Sequence, residues 1–347
     1  MSGSFETCSS MPRGKKTEGF EASDMAKLAV VIVNRDAKPF LRECLRSVFG
    51  ETRGLSLDVY VVDNASADGS PDMVREEFPA VRLIQSGSSL GFAAANNIAL
   101  RLFLEGGEWD YVLLLNSDAV ILDRALERMN DYLERHPDVG VVGPALVLPD
   151  GSFQTGTGGW LPSAWTGFNY FFFLHKLFPR TSASIFLDQR AFSLDRKSGE
   201  AGTSVEWLSG ACLLLRREVL QKIGLLDEGY YFYGEDIDWG RRMTNMGIRL
   251  RYLPSVRVRH YQGVSFGSRR GVNTLWLRML YKYVERERGR GEYLLFRLFS
   301  VAGFSLRLVL YSLACLLKMG PGRRKIREAV GFLAFGLFAP APASTRR

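Results

Sequence analysis

The residues best suited to chemistry stand where apolar runs end. Each of three such runs is followed directly by polar side chains: Asn34 and Arg35, Asp63 and Asn64, and Asn116, Ser117 and Asp118. The carboxyl ends of parallel strands meet along one edge of a sheet, so these side chains should converge on one crevice, where ligands bind. A carboxylate there, such as Asp118, is a candidate for holding a divalent cation against a phosphate. A turn or helix-cap role is the alternative.

A second group of acids, Glu235, Asp236 and Asp238, lies within nine residues of polar sequence, GEDIDWGRR. If a helix begins at Gly234, Asp236 lies in its first turn, where the helix dipole stabilises an ionised carboxylate. Asp238 and Arg242 are then four residues apart and can form an ion pair. An ordinary acidic helix start is the simpler interpretation, and it accounts well for Glu235.

Aromatic residues surround these acids. Residues 230–233 read YYFY, and Trp239 follows Asp238 directly. Trp239, Met243 and Met246 recur at helical spacing and predict a buried stripe. An acid within an aromatic cluster is typical of a sugar-binding pocket with a general base, so Asp236 is the candidate base.

The commonest signatures of nucleotide and zinc sites are absent from the sequence. No GxGxxG follows the first apolar run, no GxxxxGK[ST] occurs, and the four cysteines form no CxxC pair. His260, one of three histidines, ends a later apolar run, and an isolated histidine is more often structural than a ligand. A dinucleotide fold, a P-loop and a zinc site are therefore not indicated, and the role of His260 stays open.

The composition indicates a folded protein with an anionic partner. Hydrophobic residues make up 46% of the 347 and aromatic residues 12%, which supports a substantial core. Forty-five Lys and Arg against 37 Asp and Glu give a charge of +8, which suits a nucleotide, a lipid headgroup or nucleic acid. Residues 1–26 are polar and lack the apolar segment of a signal peptide, so we expect a disordered arm on a cytoplasmic chain.

The elements that must position the candidate residues alternate regularly over residues 27–140. The predicted strands are LAVVIV (28–33), LDVYVV (57–62), VRLIQ (81–85) and YVLLL (111–115). Amphipathic helical patterns with short links separate them, which predicts a doubly wound parallel sheet. We interpret this stretch as the half that binds a nucleotide.

After Gly140 the pattern changes, and residues 141–266 are interpreted as the acceptor half. A strand-like segment is interrupted by Pro144 and Pro149, and residues 151–203 are rich in loops and aromatic side chains. Residues 206–216 predict one further strand, and residues 249–260 predict two short strands around Pro254.

Residues 267–347 form a third region, which we expect to be helical and membrane-associating. Residues 293–319 are almost entirely apolar apart from Arg297 and Arg307, and 330–339 form a second apolar run. We expect these arginines and Lys318 to reach one polar side, and the apolar runs to find little core to join beyond a complete catalytic domain. The expectation is peripheral or hairpin-like attachment to an anionic membrane surface, and a soluble, active chain after truncation at Glu292.

Taken in order, several segments resemble glycosyltransferase family 2. They are VVIVNR, VVDNASADGS, GFAAANN, LLLNSDA, WLSGACLLLRR, FYGEDIDWGRR and PSVRVRHYQGVS, which together span about residues 28–266. Within the family the sequence looks most like the rhamnosyltransferase-type enzymes of cell-envelope polysaccharides. The resemblance implies the GT-A fold, an α/β fold with a mainly parallel doubly wound sheet, here over residues 27–266 and followed by the helical, apolar extension.

The resemblance also implies roles for individual residues. It makes Asp236 the catalytic base, Asp63 a contact of the nucleobase, and Asp118 and His260 the ligands of Mg²⁺ or Mn²⁺. The family's metal-binding DxD motif has Asn116 in place of its first acid here, which leaves Asp118 as its only carboxylate. The implied donor-binding residues are Val33, Asn34, Arg35, Asp63, Asn64, Gly91, Asn97, Asn116 and Ser117. The implied acceptor-side or supporting residues are Trp207, Glu235, Asp238, Trp239 and Arg242.

The function implied is metal-dependent, inverting transfer of a sugar from a nucleoside diphosphate. The expected donor is dTDP-rhamnose or a UDP-sugar, and the expected acceptor is lipid-linked or a polysaccharide, with no nucleic acid as partner. The expected place is the inner face of the cytoplasmic membrane. Two alternatives are a sugar-nucleotide nucleotidyltransferase and a non-catalytic carbohydrate-binding protein. The first would need a glycine- and lysine-rich loop after the first strand, which residues 34–40 do not supply. The second would leave Asp118 and Asp236 without a role.

Overall fold

The computed structural model describes residues 25–178, 183–188, 202–263, 272–317 and 323–341. The strands are β1 (Lys27–Asn34), β2 (Ser56–Asp63), β3 (Arg82–Gln85), β4 (Tyr111–Asn116), β5 (Ala119–Ile121), β6 (Val139–Val147), β7 (Gly158–Gly159), β8 (Thr203–Val205), β9 (Trp207–Leu208), β10 (Cys212–Arg216) and β11 (Arg249–His260). The helices are α1 (Lys38–Glu51), α2 (Ser70–Glu77), α3 (Phe92–Glu105), α4 (Ala125–Arg135), α5 (Ala164–Phe171), α6 (Leu174–Leu177), α7 (Arg217–Ile223), α8 (Glu235–Asn245), α9 (Leu275–Arg288), α10 (Arg290–Leu316) and α11 (Arg323–Phe338). Three sequence predictions fall outside the described residues. They concern residues 1–24 of the predicted arm, Lys318 and the domain boundary at 266.

The central sheet has the order β3-β2-β1-β4-β10-β6-β11-β5, with β8 also paired to β11. Strands β1 to β4 are parallel to one another, and β10 runs antiparallel between β4 and β6. Side chains of β1 are buried alternately in two hydrophobic clusters, one on each face of the sheet. Strands covered on both faces read as unbroken apolar runs, which is why the sequence predicts them well. The α/β fold with a largely parallel, doubly wound sheet is confirmed.

Two predictions about proline were wrong. Strand β6 continues through Pro144, and β10 pairs with it only as far as Val142, so Pro144 faces no partner there. Strand β11 is one strand rather than two, and its pairing with β6 shifts between Leu253 and Arg257, around Pro254. A register shift accommodates a residue that cannot donate a backbone hydrogen bond. Residues 206–216 instead divide into β9 and β10.

The three C-terminal helices do find a core. Buried side chains of α9 and α10 form a third hydrophobic cluster with residues of the catalytic part, among them Phe171, Trp207 and Tyr230. Phe296 and Phe304 of α10 are fully or almost fully buried in it and pack edge-on against Phe171. A chain ending at Glu292 would lose both rings and expose this cluster, so the expectation that the apolar runs find little core to join was wrong.

The arginines of α10 do not reach toward a polar surface as expected. Arg297 donates to the carbonyl oxygens of Gly336 and Ala339, both at 2.7 Å, and so caps the end of α11. Arg307 donates to the carbonyl oxygen of Tyr170 at 2.7 Å, at the end of α5. Their charges satisfy the unpaired carbonyls that every helix end leaves.

The outer face of α10 is left apolar. From Leu294 to Leu316 its exposed residues carry no charge, and the large ones are all apolar: Leu294, Leu295, Leu298, Leu306, Val309, Leu310, Leu313 and Leu316. Within the part of the chain that the structure describes, α10 alone is long and apolar enough to cross a membrane, with a mean hydropathy of 1.7 and 17% of its most apolar window buried. Length and composition are compatible with a span and equally with a helix that lies on a membrane.

Candidate active site

A cavity of about 1270 Å³ opens at the carboxyl ends of β1 and β4, in front of the start of α8. Many of the residues predicted from the sequence line it: Val33, Arg35, Asn64, Asn116, Ser117, Asp118, Trp207, Glu235, Asp236 and His260. The strand register explains why the polar residues that follow the strands lie together. Asn34 of β1 pairs with Asp63 of β2, and Val33 of β1 pairs with Asn116 of β4. The two groups of acids, more than a hundred residues apart in the sequence, therefore face the same space.

Asp118 and His260 are brought into contact by the pairing of β11 with β5. His260 is opposite Ala119 in that pairing, and the N–H of Tyr261 donates to the carbonyl of Asp118 at 3.0 Å. His260 Nε2 lies 3.0 Å from Asp118 Oδ1, and the Asn116 amide nitrogen lies 3.2 Å from the same Nε2. The other ring nitrogen, Nδ1, lies 2.7 Å from the side-chain oxygen of Gln154.

This arrangement fits a divalent cation. Because Nδ1 faces the oxygen of Gln154, it carries the ring hydrogen, and Nε2 presents its lone pair toward the Asp118 carboxylate. Two electron-rich atoms 3.0 Å apart need a proton or a cation beside them. The side-chain oxygen of Asn116 is also buried and has no hydrogen-bond partner among the described residues. No third acid, histidine or cysteine joins the pair in the described ranges, so further ligands would come from phosphate oxygens and water.

Asp236 sits in the first turn of α8, as predicted. Gly234 precedes the helix at a φ of 98°, and a Cβ there would meet the Tyr230 ring at 2.8 Å, so only glycine fits. The N–H of Ile237 donates to Asp236 Oδ1 at 2.9 Å. Burial raises the pKa of Asp236 to about 6, against the opposing effect of the N–H groups of Ile237 and Gly210. A carboxyl with this pKa is ionised at neutral pH and can accept a proton.

Glu235 has a different character although it is the adjacent residue. Burial, and then the charge of Asp236, raise its pKa well above the ordinary value. One of its carboxyl oxygens has no hydrogen-bond partner among the described residues. Its surroundings therefore favour the protonated form of Glu235.

Asp238 and Arg242 form the predicted ion pair, and the pair supports the site from outside the cavity. Asp238 is almost fully buried and contacts three guanidinium groups, those of Arg241 (3.1 Å), Arg242 (2.9 Å) and Arg286 (3.1 Å). Arg286 belongs to α9, so this cluster ties α9 to α8. Arg242 also donates to the carbonyl of Leu225 at 2.8 Å.

The two predicted tryptophans also have structural contacts. The indole N–H of Trp239 donates to the carbonyl of Gly224 at 3.1 Å, and that of Trp207 to the carbonyl of Ile185 at 2.9 Å. Trp207 reaches the cavity and Trp239 does not. Met243 is buried beside Trp239 as predicted, but Met246 is 56% exposed, so the predicted stripe ends one turn early.

Asn34 and Asp63 lie behind the cavity wall. The amide of Asn34 donates to the Ser66 hydroxyl at 3.2 Å, and Asp63 Oδ2 accepts from the Ser66 N–H at 3.1 Å. Each residue keeps one buried side-chain oxygen that has no hydrogen-bond partner within the described part of the chain. The side chains order the loop after β2 and leave two acceptors unused.

Gly91 and Asn97, predicted to bind the donor, are not brought to the cavity. The Asn97 amide donates to the Leu226 carbonyl at 2.9 Å and to Glu228 at 2.8 Å, which fixes the turn before α8. A Cβ on Gly91 would lie 2.8 Å from the carbonyl oxygen of Tyr231, so the glycine permits a close backbone contact. Both act on the residues that precede Asp236.

The remaining cavity wall was not predicted. It contains aromatic side chains of the loop-rich region and of the C-terminal helices, together with charged residues of α11: Tyr170, Phe186, Trp276, Phe332, Arg324, Arg327 and Glu328. The aromatic richness of residues 151–203 was a signal for part of it.

Comparisons with known proteins identify the family. A family model described as "Glycosyltransferase like family 2" matches residues 26–278. The chain belongs to this family. It is 32% identical over 248 residues to N-acetylglucosaminyl-diphospho-decaprenol L-rhamnosyltransferase of Mycobacterium tuberculosis, covering 69% of this chain and 78% of that protein. It is 27% identical over 186 residues to rhamnosyltransferase WbbL of Escherichia coli, covering 51% and 62%.

Solved structures of glycosyltransferases share the fold. The mannosyltransferase PcManGT from Pyrobaculum calidifontis, in complex with GDP-Man and Mn²⁺, matches with a TM-score of 0.51 and 18% identity over 91% of this chain and 71% of that chain. GalNAc-T7 with UDP, GalNAc and Mn²⁺ matches with a TM-score of 0.56 and 16% identity over 86% and 55%. The protein is thus a family 2 glycosyltransferase of the GT-A type. The nucleotidyltransferase and the non-catalytic carbohydrate-binding protein are set aside.

The different surroundings of Asp236 and Asp238 predict opposite effects on stability. Asp238→Asn removes the charge that three arginines share in a buried site, and breaking such a cluster costs about 3–5 kcal/mol. Asp236→Asn should be at least as stable as the wild type at pH 8. In the wild type, burial raises the pKa of Asp236 from the ordinary value of 3.8 to about 6. The folded state therefore loses stability as the pH rises between these two values, and asparagine, which does not ionise, avoids that loss.

Urea unfolding of both variants at pH 8 measures this difference. Equal stability of the two variants would contradict the assignment of a structural role to Asp238 and a poised acid to Asp236.

Proposed function

We propose that this glycosyltransferase moves rhamnose, or a similar sugar, from a nucleoside diphosphate to a hydroxyl of a lipid-linked or polysaccharide acceptor, with inversion. The carrying observation is one cavity that holds both the Asp118–His260 pair and a carboxyl poised near neutral pH, Asp236. Three relatives, from Mycobacterium tuberculosis, Escherichia coli and Shigella flexneri, are named as rhamnosyltransferases. These names support dTDP-rhamnose as the donor, with a UDP-sugar as the second choice. One relative is named for O-antigen biosynthesis and another for a lipid-linked substrate, and both names support a role in cell-envelope glycan synthesis.

The donor occupies the sheet side of the cavity in this proposal. Val33, Arg35 and Asn64 line that side next to Asn116 and Ser117. The unused buried oxygen of Asp63 offers an acceptor for an N–H of the nucleobase if the loop after β2 adjusts. Asn97 and Gly91 contribute by fixing the residues before α8.

Asp118 and His260 would hold Mg²⁺ or Mn²⁺. When bound there, the cation supplies positive charge against the departing nucleoside diphosphate. Without it, the chain's own contribution on this side is to fix the imidazole through Gln154, so that Nε2 and the Asp118 carboxylate face the same point. The Mn²⁺ in the complexes of the two structural neighbours agrees with this choice of metal.

Asp236 acts on the acceptor. Its ionised carboxylate takes the proton from the acceptor hydroxyl while that oxygen forms a bond to the anomeric carbon. The bond from this carbon to the diphosphate oxygen breaks, the nucleoside diphosphate leaves with the electron pair, and the anomeric configuration inverts. Burial favours the protonated form of the adjacent Glu235, which a base cannot use.

The location we propose is the inner face of the cytoplasmic membrane. The uncharged outer face of α10 would lie in the lipid interface, and the basic start of α11 would meet anionic headgroups, each charge contributing about 1 kcal/mol. Because α10 also supplies core residues, such attachment would hold the catalytic part close to the membrane, where a lipid-linked acceptor resides.

Release of nucleoside diphosphate from dTDP-rhamnose and UDP-sugars, with Mg²⁺ or Mn²⁺ present, tests the proposed function. We expect release with at least one donor, stimulated by an acceptor. Asp236→Asn should lower kcat by about 10²–10⁴-fold and leave donor affinity nearly unchanged, because the base acts on the acceptor. Wild-type kcat would remove Asp236 from the mechanism, and no release with any donor would overturn the proposal.

The pH dependence follows from the same carboxyl. Only ionised Asp236 accepts a proton, so kcat/KM should fall as the pH drops through about 6. The pH profile of donor turnover at saturating metal measures this, and an unchanged rate down to pH 5 would contradict it.

Vesicle sedimentation tests the location. Full-length protein should bind vesicles that contain phosphatidylglycerol. Replacing Leu298, Val309 and Leu313 by serine should weaken binding at least tenfold, since each of these side chains contributes about 1.5–3 kcal/mol when it is buried in lipid. Leu102→Ser, an exposed leucine on α3, is the control and should bind like the wild type. A wild-type protein that stays in the supernatant at low salt would show that the membrane proposal is wrong.

A further inference from the structure

Tyr233 has a backbone conformation that tyrosines seldom adopt. Its φ is 64°, in the left-handed region, where a bulky side chain is strained. In the described ranges, the non-glycine residues at positive φ that line the active-site cavity are Asp36, Tyr233 and Gln262, and of these only Tyr233 is aromatic. Backbone strain of this kind is concentrated where ligands bind, so the conformation of Tyr233 indicates a functional role.

The surroundings of the Tyr233 hydroxyl place it near both groups of acids. Burial is the main cause that raises the pKa of this hydroxyl, and a hydrogen bond with Asn273 acts in the opposite direction. The carboxyl groups of Glu235, Asp236 and Asp118 raise the pKa further. Such influence weakens with distance, so the hydroxyl lies within reach of both Asp118 and Asp236. It is protonated at neutral pH and can donate a hydrogen bond.

The hydrogen bond with Asn273 orients this hydroxyl. The side-chain oxygen of Asn273 accepts from the N–H of Leu275 at 3.1 Å, at the start of α9, so the amide NH₂ group is the one that faces Tyr233. A hydroxyl that accepts one hydrogen bond can donate another. Helix α9 is itself held against the start of α8, because the Cβ of Met279 would lie 3.6 Å from a Cβ on Gly234. Tyr233 and Asn273 both line the cavity.

The position of Tyr233 decides which part of the substrates it meets. In the proposed reaction the diphosphate lies at Asp118 and His260, and the acceptor hydroxyl lies at Asp236. The transferred sugar must lie between these two groups, since its anomeric carbon is bonded first to one and then to the other. A hydroxyl within reach of both Asp118 and Asp236 is therefore beside the sugar, and the nucleobase lies elsewhere, near Asp63.

We infer that the Tyr233 hydroxyl donates a hydrogen bond to an oxygen atom of the transferred sugar and so fixes the sugar between the diphosphate and the base. The inference rests on the proposed function and adds to it a residue that recognises the donor sugar. It also accounts for the strained backbone, because the left-handed conformation turns the ring of Tyr233 into the cavity directly before α8.

Calorimetry on the full-length protein with Mg²⁺ tests the inference by comparing dTDP-rhamnose with dTDP, which lacks the sugar. Tyr233→Phe keeps the ring and removes the hydroxyl. It should weaken the binding of dTDP-rhamnose by about three- to tenfold and change the binding of dTDP by less than about twofold. Tyr311→Phe is the matched control, because Tyr311 lies on α10 and does not line the cavity, and it should bind both ligands like the wild type. If the wild type turns over a UDP-sugar instead, that UDP-sugar and UDP replace this pair of ligands.

Three results would overturn the inference: wild-type affinity of Tyr233→Phe for the nucleotide sugar, an equal loss of affinity for both ligands, or the same loss in Tyr311→Phe. An equal loss would mean that Tyr233 supports the nucleotide site and does not contact the sugar. Failure of the proposed function is seen separately, in the wild-type protein, as absence of nucleoside diphosphate release from every donor.

Discussion

One buried carboxylate, Asp238, holds the two parts of the protein in a single arrangement. Burying an ion costs several kcal/mol unless it is paired, and here three guanidinium groups from two helices share the pairing. Arg286 extends the cluster to Asp227 at 2.8 Å, in the turn that precedes the active-site helix. Neither α8 nor α9 can shift without leaving charge unpaired. Asp236, two residues away on α8, is thereby fixed relative to the cavity wall that α9 supplies.

The short acidic segment contains three carboxyl groups in three electrostatic environments. Asp238 faces three arginines and serves as an anchor. Glu235 is buried without a cation, which raises its pKa well above the ordinary value. Asp236 has only backbone N–H donors to offset burial, and its pKa rises to about 6. Opposite charges, burial and backbone donors thus assign a different role to each acid.

The sequence predicts those features that depend on near neighbours. Apolar runs predict the sheet, and the polar residues after them, such as Asp118, converge because parallel strands end at one edge. Asn97 was misplaced because its partner is Leu226, 129 residues away. Arg307 was misread for the same reason, since the carbonyl it caps, at Tyr170, is 137 residues away. The part of the cavity wall supplied by α11 could not be foreseen either, because it depends on how that helix packs against α10.

The division of roles between the Asp118–His260 pair and Asp236 is tested most directly by Mn²⁺ binding, measured by electron paramagnetic resonance with a nucleoside diphosphate present. Wild type and Asp236→Asn should bind Mn²⁺ equally, because Asp236 serves the acceptor. Asp118→Ala should bind at least tenfold more weakly, and His260→Ala should show a smaller loss. Wild-type Mn²⁺ affinity in Asp118→Ala, or a loss of affinity in Asp236→Asn, would contradict this division.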